Sequence, residues 1–544
     1  MTVRQISGRH RTVVEVLRAR AEVTPDLEAY VEVTEPAAAG VVPAGADGRR
    51  RLTFGQWDAA ADGVAGLFAD RGVTKGDVVC LVLPSSIDYA VCYQAAARLG
   101  AVTSGINSRL GQSERLSVLA RLRPRLTVAD PAPAEPRSLP PEAGDVLWRP
   151  ELAAPPPPPP PSSSSSSSSS TAAPPLPSLD AMDPVCVVWT SGSTGVPKGA
   201  IFDHANPRAV ADGTDVLSRP GDRRLSPLPF PHVGYMTRPW DEIAHGITTV
   251  VTPQPWSAGT AIALMAQERV TVGQGVPTQW ALVLAHPDLD RADLSSLRIA
   301  GTGAARVPAE LVRAMRARLG CAVVVRYTST ETSLGTATLP GDPVEVVCNT
   351  VGRPVPGVEL SVVGEDGSAL PRGEIGRVRL RSAATMRGYV GDGGGVDASL
   401  TASVLDAAGW VTTGDLGQID PDGNLRLVGR VAELYIRGGY NVYPAEVEAV
   451  LRRHPAVADA AVVGVEDPVL GEVGSAFVVP SADGSGPTLD ELQRWCRLEL
   501  ADYKAPDRLE LVPSLPLTAM GKVDLRSLRT RAQAGCSPSR PSAP

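Results

Sequence analysis

The stretch Trp189-Thr190-Ser191-Gly192-Ser193-Thr194-Gly195-Val196-Pro197-Lys198-Gly199 sets small, hydroxyl-bearing and glycine residues between an apolar run and a lysine. Glycines let backbone N–H groups close on an anion, hydroxyls add donors, and the lysine adds charge. That is the chemistry of a phosphate cradle. The Walker A loop is excluded, because Pro197 stands where that motif needs glycine. A serine-hydrolase elbow is excluded as well, because Ser191 rather than glycine precedes Ser193 by two residues. Three further groupings carry useful chemistry. Tyr327-Thr328-Ser329-Thr330-Glu331 offers a ring, hydroxyls and a carboxylate. Thr413-Gly414-Asp415 places an acid fifteen residues before Arg430, and Pro516-Leu517-Thr518-Ala519-Met520-Gly521-Lys522 ends on a lysine.

Short apolar runs lead into these groupings and predict the strands that hold them. Residues 185–189 form one such run, and 297–300 and 322–325 are similar. Between the last two lies a helix with readable punctuation: Pro308 at its first turn, apolar Leu311, Val312, Met315 and Leu319, then Gly320 as a stop. After Gly429 the texture changes. Helices near 445–453 and 489–500 and strands near 460–465 and 476–479 describe a small α+β unit. The alternation of strands and helices predicts an α/β chain.

The chain has 544 residues, too many for one cooperative core, and 43% of them are apolar. With 20% charged residues and a net charge of −7, it is not a general nucleic-acid binder or a polybasic membrane-surface protein. Seven cysteines without CxxC pairs read as reduced thiols, and no metal-ligating cluster is visible. Arg, His and Glu interrupt the N-terminal region, so no signal peptide is expected there. No apolar run reaches the roughly 18 residues of a membrane span, and a cytoplasmic location is expected. Residues 131–180, with a proline run and then serines, read as a surface insertion. The tail at 531–544 is expected to be disordered.

Taken in order, these motifs resemble the adenylate-forming superfamily, which includes acyl-CoA synthetases, aryl-CoA ligases, beetle luciferases and peptide-synthetase adenylation domains. The loop at 189–199 is similar to its phosphate-binding signature. Pro229-Phe230-Pro231-His232 resembles the aromatic/histidine motif of the acyl site, and Thr302-Gly303-Ala304-Ala305 the adenine-side loop. The segment 327–331 resembles Tyr-Gly-x-Thr-Glu, and 413–415 the ribose motif. Gly429-Arg430, followed by Gly438-Gly439-Tyr440-Asn441-Val442-Tyr443-Pro444, resembles the domain junction, and 516–522 the C-terminal lysine motif.

The resemblance implies a large N-terminal domain of β-sheets flanked by helices over 1–429, a hinge at 430–433, and a small mobile lid over 434–530. It implies that ATP, coenzyme A and Mg²⁺ serve the activation of a carboxylic acid as acyl-AMP, followed by thioester formation. Thr190, Ser191, Gly192, Ser193, Thr194, Gly195 and Lys198 would hold phosphates, and Glu331 would bind Mg²⁺. Gly303, Ala304, Ala305, Tyr327, Thr328, Ser329 and Thr330 would surround the nucleotide, with Tyr327 stacked on adenine. Asp415 would bind the ribose and Arg430 support the nucleotide. Lys522 would bridge carboxylate and α-phosphate, and His232 would gate an acyl pocket lined by Met236, Trp240, Gly275, Gly303 and Arg326. Gly438 and Gly439 would line the coenzyme A tunnel. His204, His245 and His286 are expected to be structural.

Three positions depart from the pattern. Thr328 replaces the family's glycine, Arg326 stands where a small residue is usual, and Ala432 occupies the hinge position usually held by Asp or Lys. Arg326 is expected to cap the acyl tunnel or to pair with a polar group on the substrate. Ala432 keeps open an alternative in which acyl-AMP forms well, the thioester forms poorly, and the adenylate passes to a partner protein. An amino-acid-activating domain is disfavoured, since Phe230-Pro231-His232-Val233 offers no acid for a substrate ammonium. A luciferase-like enzyme shares the motifs. A non-catalytic scaffold is disfavoured by Lys522, Glu331 and Asp415 standing together.

Overall fold

The computed structural model describes all residues except 1–7, 9, 34–40, 108, 109, 111, 132–139, 154–176, 191–196, 215, 216, 227, 438, 439, 468, 482–485, 519–521 and 535–544. The chain forms two compact units, Met1–Leu360 with Leu380–Val411, and Ser361–Arg379 with Thr412–Pro544.

Two sheets dominate the first unit. In the seven-stranded sheet, Val102–Gly105, Val78–Val82, Leu126–Ala129 and Asp145–Trp148 run on one side of Pro184–Thr190. Lys198–Asp203 and then Gly388–Tyr389 follow on the other side. The nine-stranded sheet is parallel through Ala322–Tyr327, Ile299–Gly303, Val272–Gly275, Arg223–Ser226, Thr248–Val251 and Glu28–Val33, with antiparallel strands at both edges. Parallel strands covered on both faces need continuous apolar runs, and Val78-Val79-Cys80-Leu81-Val82 is one. The helix Ile87–Arg98 is buried along its whole length; Ser86 caps it by accepting from the Tyr89 N–H at 3.2 Å. Its one acid, Asp88, is fully buried and tolerable there because Arg50 reaches it at 2.7 Å and Arg149 at 2.7 Å.

The expected strand at 322–325 is Ala322–Tyr327, and that at 297–300 lies slightly later, at Ile299–Gly303. The intervening helix is Ala309–Leu319, ended by Gly320 at φ 65°, with Pro308 one position outside it as the cap. Part of the expected surface insertion is folded. Asp145–Trp148 is the edge strand of the seven-stranded sheet, paired in parallel with Leu126–Ala129. Leu147 and Leu152 are core residues, and Arg149 is tied to Asp88 and Asp130. The proline density around this strand hid two apolar anchors and one buried arginine. The run at 154–176 lies outside the described residues.

In the second unit, Val411–Ile419 and Leu425–Arg430 form an antiparallel pair. A further sheet is built from Tyr440–Val442, Tyr435–Arg437, Gly471–Pro480 and Val457–Asp467, with Arg508–Leu511 added in parallel to Gly471–Pro480. The helices Pro444–Leu451 and Leu489–Arg497 bury Val447, Val450, Leu451, Leu492 and Cys496 in one core with Tyr435. A third helix, Leu525–Ala534, seats Leu528 and Ala532 against Val463 and Phe477. Helix therefore continues past 531, where a tail was expected, because Ala532 is a packing position. Residues 535–544 lie outside the described residues.

Candidate active site

In the first unit, the strands Pro184–Thr190 and Lys198–Asp203 pair antiparallel, with Thr190 opposite Lys198. The phosphate-type loop is thus closed at its neck by a strand pair. Ser191, Gly192, Ser193, Thr194 and Gly195 lie outside the described residues. On the other side of Lys198–Asp203, Tyr389 stands opposite Ala200. This register carries the Tyr389 ring to 5.5 Å from Lys198 Nζ. The Tyr389 hydroxyl donates to Glu331 Oε1 at 2.6 Å, and the Met386 N–H donates to the Glu331 carbonyl at 2.8 Å. Loop lysine, buried phenol and motif carboxylate are therefore assembled from three distant parts of the chain. Burial first, then the charge of Glu331, pushes the Tyr389 phenol above its ordinary range, so it remains a proton donor. Tyr389 was absent from the sequence-based candidates, and the run Arg387-Gly388-Tyr389-Val390 gives no local sign of its partner.

The adenine-side and Tyr-x-x-Thr-Glu segments meet at the ends of adjacent parallel strands, with Gly303 in register with Arg326. Only glycine fits at 303, because a Cβ would lie 2.3 Å from the Arg326 carbonyl oxygen. Ala304 follows at φ 62°, a left-handed conformation costly for a residue with a Cβ. Ala305 and Thr328 are exposed, whereas Tyr327, Ser329 and Thr330 are half-buried. Ser329 and Thr332 exchange a hydroxyl hydrogen bond at 3.2 Å.

His232 precedes the short helix Val233–Met236, and its Nε2 lies 3.2 Å from Asn107 Nδ2. A cavity of about 330 Å³ opens there, bounded by Ser85, Asn107, Pro229 and Pro231. Met236 and Trp240 are elsewhere, inside the aromatic core. Tyr89 donates to Met236 Sδ at 3.0 Å, and Phe230 stacks on Tyr235 at 3.6 Å between ring centroids. Gly275 faces Trp280, whose Nε1 would lie 3.0 Å from an added Cβ. Arg326 is half-buried; loss of water, then the like charges of Arg238 and Arg224, lowers its guanidinium to about 9. The three histidines expected to be structural have local partners. His204 accepts from the Val13 N–H at 3.3 Å, His245 Nδ1 lies 3.1 Å from Asp241, and His286 accepts from the Asp288 N–H at 3.3 Å.

In the second unit, Asp415 and Arg430 are register partners on adjacent strands, and Arg430 Nε donates to Asp415 Oδ1 at 2.8 Å. Gly414 at φ 76° turns the chain there, and its carbonyl accepts from the Val431 N–H at 3.0 Å. Lys522 lies within electrostatic reach of Arg430, Asp415 and Glu433. Desolvation, then the like charge of Arg430, holds its ammonium below the ordinary lysine range, while Asp415 and Glu433 oppose this. The Lys522 side chain as a whole is exposed, so that desolvation is partial. Ala432 is exposed in the turn just after Arg430, and Gly438 and Gly439 lie outside the described residues. Among the described residues, no group of three or more His, Cys, Asp or Glu side chains is placed to hold a metal ion. No helix among them is long and apolar enough to cross a membrane.

Residues 17–390 match the model for AMP-binding enzymes, and residues 446–522 match the AMP-binding enzyme C-terminal domain. The chain belongs to the AMP-binding enzyme family. This AMP-binding enzyme is 35% identical over 494 residues to a feruloyl-CoA synthase of Amycolatopsis sp, covering 89% of this chain and 94% of that one. It is 30% identical over 521 residues to a long-chain-fatty-acid–CoA ligase of Mycobacterium tuberculosis, covering 95% and 98%. Its fold matches the amide bond synthetase McbA from Marinactinospora thermotolerans with a TM-score of 0.79 at 28% identity, over 95% of this chain and 99% of that one. The expected adenylate-forming fold, with a larger N-terminal domain of sheets and helices and a smaller C-terminal domain, is the fold of this AMP-binding enzyme.

Proposed function

We propose that this enzyme activates a carboxylic acid with ATP, forming acyl-AMP and releasing pyrophosphate, and then transfers the acyl group to coenzyme A. The observation that carries this reading is the grouping of Lys522 with Arg430 and Asp415 in one unit. A carboxylate must approach an anionic α-phosphate, and the transition state needs cations where that charge gathers. Lys522 is the cation we assign to that task. Asp415 accepts from the ribose hydroxyls, and Arg430 holds Asp415 in place while adding positive charge. Tyr327 stacks on adenine, the loop from Thr190 to Lys198 holds the outer phosphates, and His232 gates the acyl pocket. After acyl-AMP forms, the chain turns about 430–433, and the thiol enters past Gly438 and Gly439.

Glu331 fits a hard cation. Its Oε1 is fixed by Tyr389, and its Oε2 has no hydrogen-bond partner among the described residues. Bound with ATP, Mg²⁺ would be held by Glu331 and would neutralise phosphate charge. Cytoplasmic location follows from the substrates, ATP and coenzyme A. Acid-dependent pyrophosphate release, followed by acyl-CoA formation across a panel of aromatic, branched and straight-chain acids, tests the proposal. ATP consumption that no acid stimulates would overturn it.

Ala432 supports a second reading, in which acyl-AMP forms well, the thioester forms slowly, and the adenylate passes to another acceptor or a partner protein. A charged hinge side chain makes different polar contacts in the two states of the turn, and alanine makes none. If 1% of molecules reach the thioester-forming state, a deficit of about 2.7 kcal/mol, the second step slows in proportion. Single-turnover reactions that follow acyl-AMP and acyl-CoA together separate the two readings. Rapid, complete conversion to acyl-CoA with no gain from Ala432→Lys excludes the second.

A further inference from the structure

One face of the nine-stranded sheet carries more positive charge than its acids match. The strands Arg223–Ser226, Val272–Gly275, Ile299–Gly303 and Ala322–Tyr327 lie side by side and parallel, and their register puts Arg224, Val272, Ile299 and Ala322 in one row. Side chains alternate along a strand, so Arg224, Gln274, Gly301, Gly303, Val324 and Arg326 share that face. The opposite face is filled by Leu225, Ala300, Val323 and Val325 with Trp280. Between Arg224 and Arg326 the sheet is floored by glycine. A Cβ at Gly301 would meet the Gly273 carbonyl oxygen at 3.6 Å and Gln274 Cγ at 3.9 Å, with no closer neighbour. Arg326 and Gly303 also stand at the carboxyl ends of their parallel strands, where open α/β sheets bind ligands.

The helix Pro239–His245 adds its charges to this face. Asp241 is fully buried and is shared by Arg224 Nη2 at 3.2 Å, Arg238 Nη2 at 2.9 Å and His245 Nδ1 at 3.1 Å. Thr214 and Ser218 also donate to it, at 2.8 and 2.9 Å. Glu242 lies 3.6 Å from Arg224 Nη1, and its other oxygen accepts from Tyr30. Arg224 Nε and Nη1 and Arg238 Nε are buried without hydrogen-bond partners. The Arg326 side chain has no hydrogen bond or ion pair among the described residues; the like charges of Arg238 and Arg224 act on it, opposed by Asp241. A cation withdrawn from water and left unpaired is costly, and an entering anion removes the cost.

Resting on the acid-activating reading, we propose that Arg326, backed by Arg224 and Arg238, binds a second carboxylate on the substrate, so that the acid activated is a dicarboxylic acid. One carboxylate is adenylated while the other pairs with Arg326. The pairing holds the acid in one orientation and discriminates against a monoacid, which would leave the half-buried guanidinium unpaired.

The test is kcat/KM for pyrophosphate release, measured with straight-chain monocarboxylates and their ω-carboxy counterparts of equal length. Wild-type enzyme, Arg326→Gln and Arg326→Lys are compared. The wild type is expected to prefer the diacid by about 100-fold, as a buried charge-assisted pair commands. Arg326→Gln should collapse that ratio, chiefly through KM, and Arg326→Lys should restore part of it. A wild-type preference for monoacids, or a ratio unchanged in Arg326→Gln, overturns the assignment while leaving the acid-activating reading intact. Failure of every acid in both series overturns the assignment, and failure of the aromatic and branched acids as well overturns that reading with it. Should Arg326→Gln fail to fold, the wild-type ratio decides alone.

Discussion

Tyr389 and Glu331 are joined by a short hydrogen bond, the phenol donating to Glu331 Oε1 at 2.6 Å. Tyr389 is buried, and Lys198 lies over the same ring. The phenol therefore orients the carboxylate and links it to the lysine that closes the phosphate-type loop.

Tyr389→Phe removes the hydroxyl and keeps the ring. A hydrogen bond to a charged group contributes about 1.5–3 kcal/mol, so kcat/KM for ATP should fall about 10-fold or more. The Mg²⁺ concentration for half-maximal pyrophosphate release should rise with it. An unchanged Mg²⁺ titration would show that Glu331 needs no help from Tyr389.

Lys522→Ala should slow acyl-AMP formation by about 10²–10³ while leaving the fold intact, because the charge is needed where the transition state develops. Lys522 is tied to its loop through its backbone, its N–H donating to Thr518 Oγ1 and its carbonyl accepting from the Thr518 N–H. Circular dichroism and melting temperature should match the wild type. Pyrophosphate release at the wild-type rate would remove Lys522 from the assignment.

His204 makes stability depend on pH. Burial lowers it to about 4, against the opposing charges of Asp183 and Glu15, from an ordinary value near 6.5. The folded state keeps the ring neutral, so its contribution is complete above pH 6.5. It declines as the unfolded chain takes up a proton between 6.5 and 4, and then levels off. The loss approaches about 1.4 kcal/mol per pH unit within that window. Urea unfolding at several pH values should show the slope, and His204→Gln should flatten it. Equal slopes in the two proteins would assign the effect to other groups.

Excision of 154–175 should leave activity and melting temperature nearly unchanged, because a proline run followed by serines offers little apolar surface to bury. The cut must spare Arg149 and Leu152, which are tied into the seven-stranded sheet. A cut beginning at 149 should yield insoluble protein. Soluble, active protein from that longer excision would count against the packing role of these two residues.

Motifs whose chemistry is local could be read along the chain. The strand that runs into the phosphate-type loop, the helix Ala309–Leu319 with its glycine stop, and Asp415 fifteen residues before Arg430 were legible because neighbours in the chain make those features. A glycine stop and a two-stranded turn need no distant partner. The family and its fold were legible for a related reason, the fixed order of motifs from Trp189 to Lys522. Tertiary structure alone decided the rest. Tyr389 reached Glu331 because Gly388–Tyr389 pairs with Lys198–Asp203, nearly two hundred residues earlier. Arg224 and Arg326 came to one face because parallel strands need long crossovers, so sheet neighbours are distant in sequence. Met236 and Trp240, expected beside an acyl chain, went to the aromatic core instead. Large apolar side chains follow available burial, and only the packed fold says where that burial is.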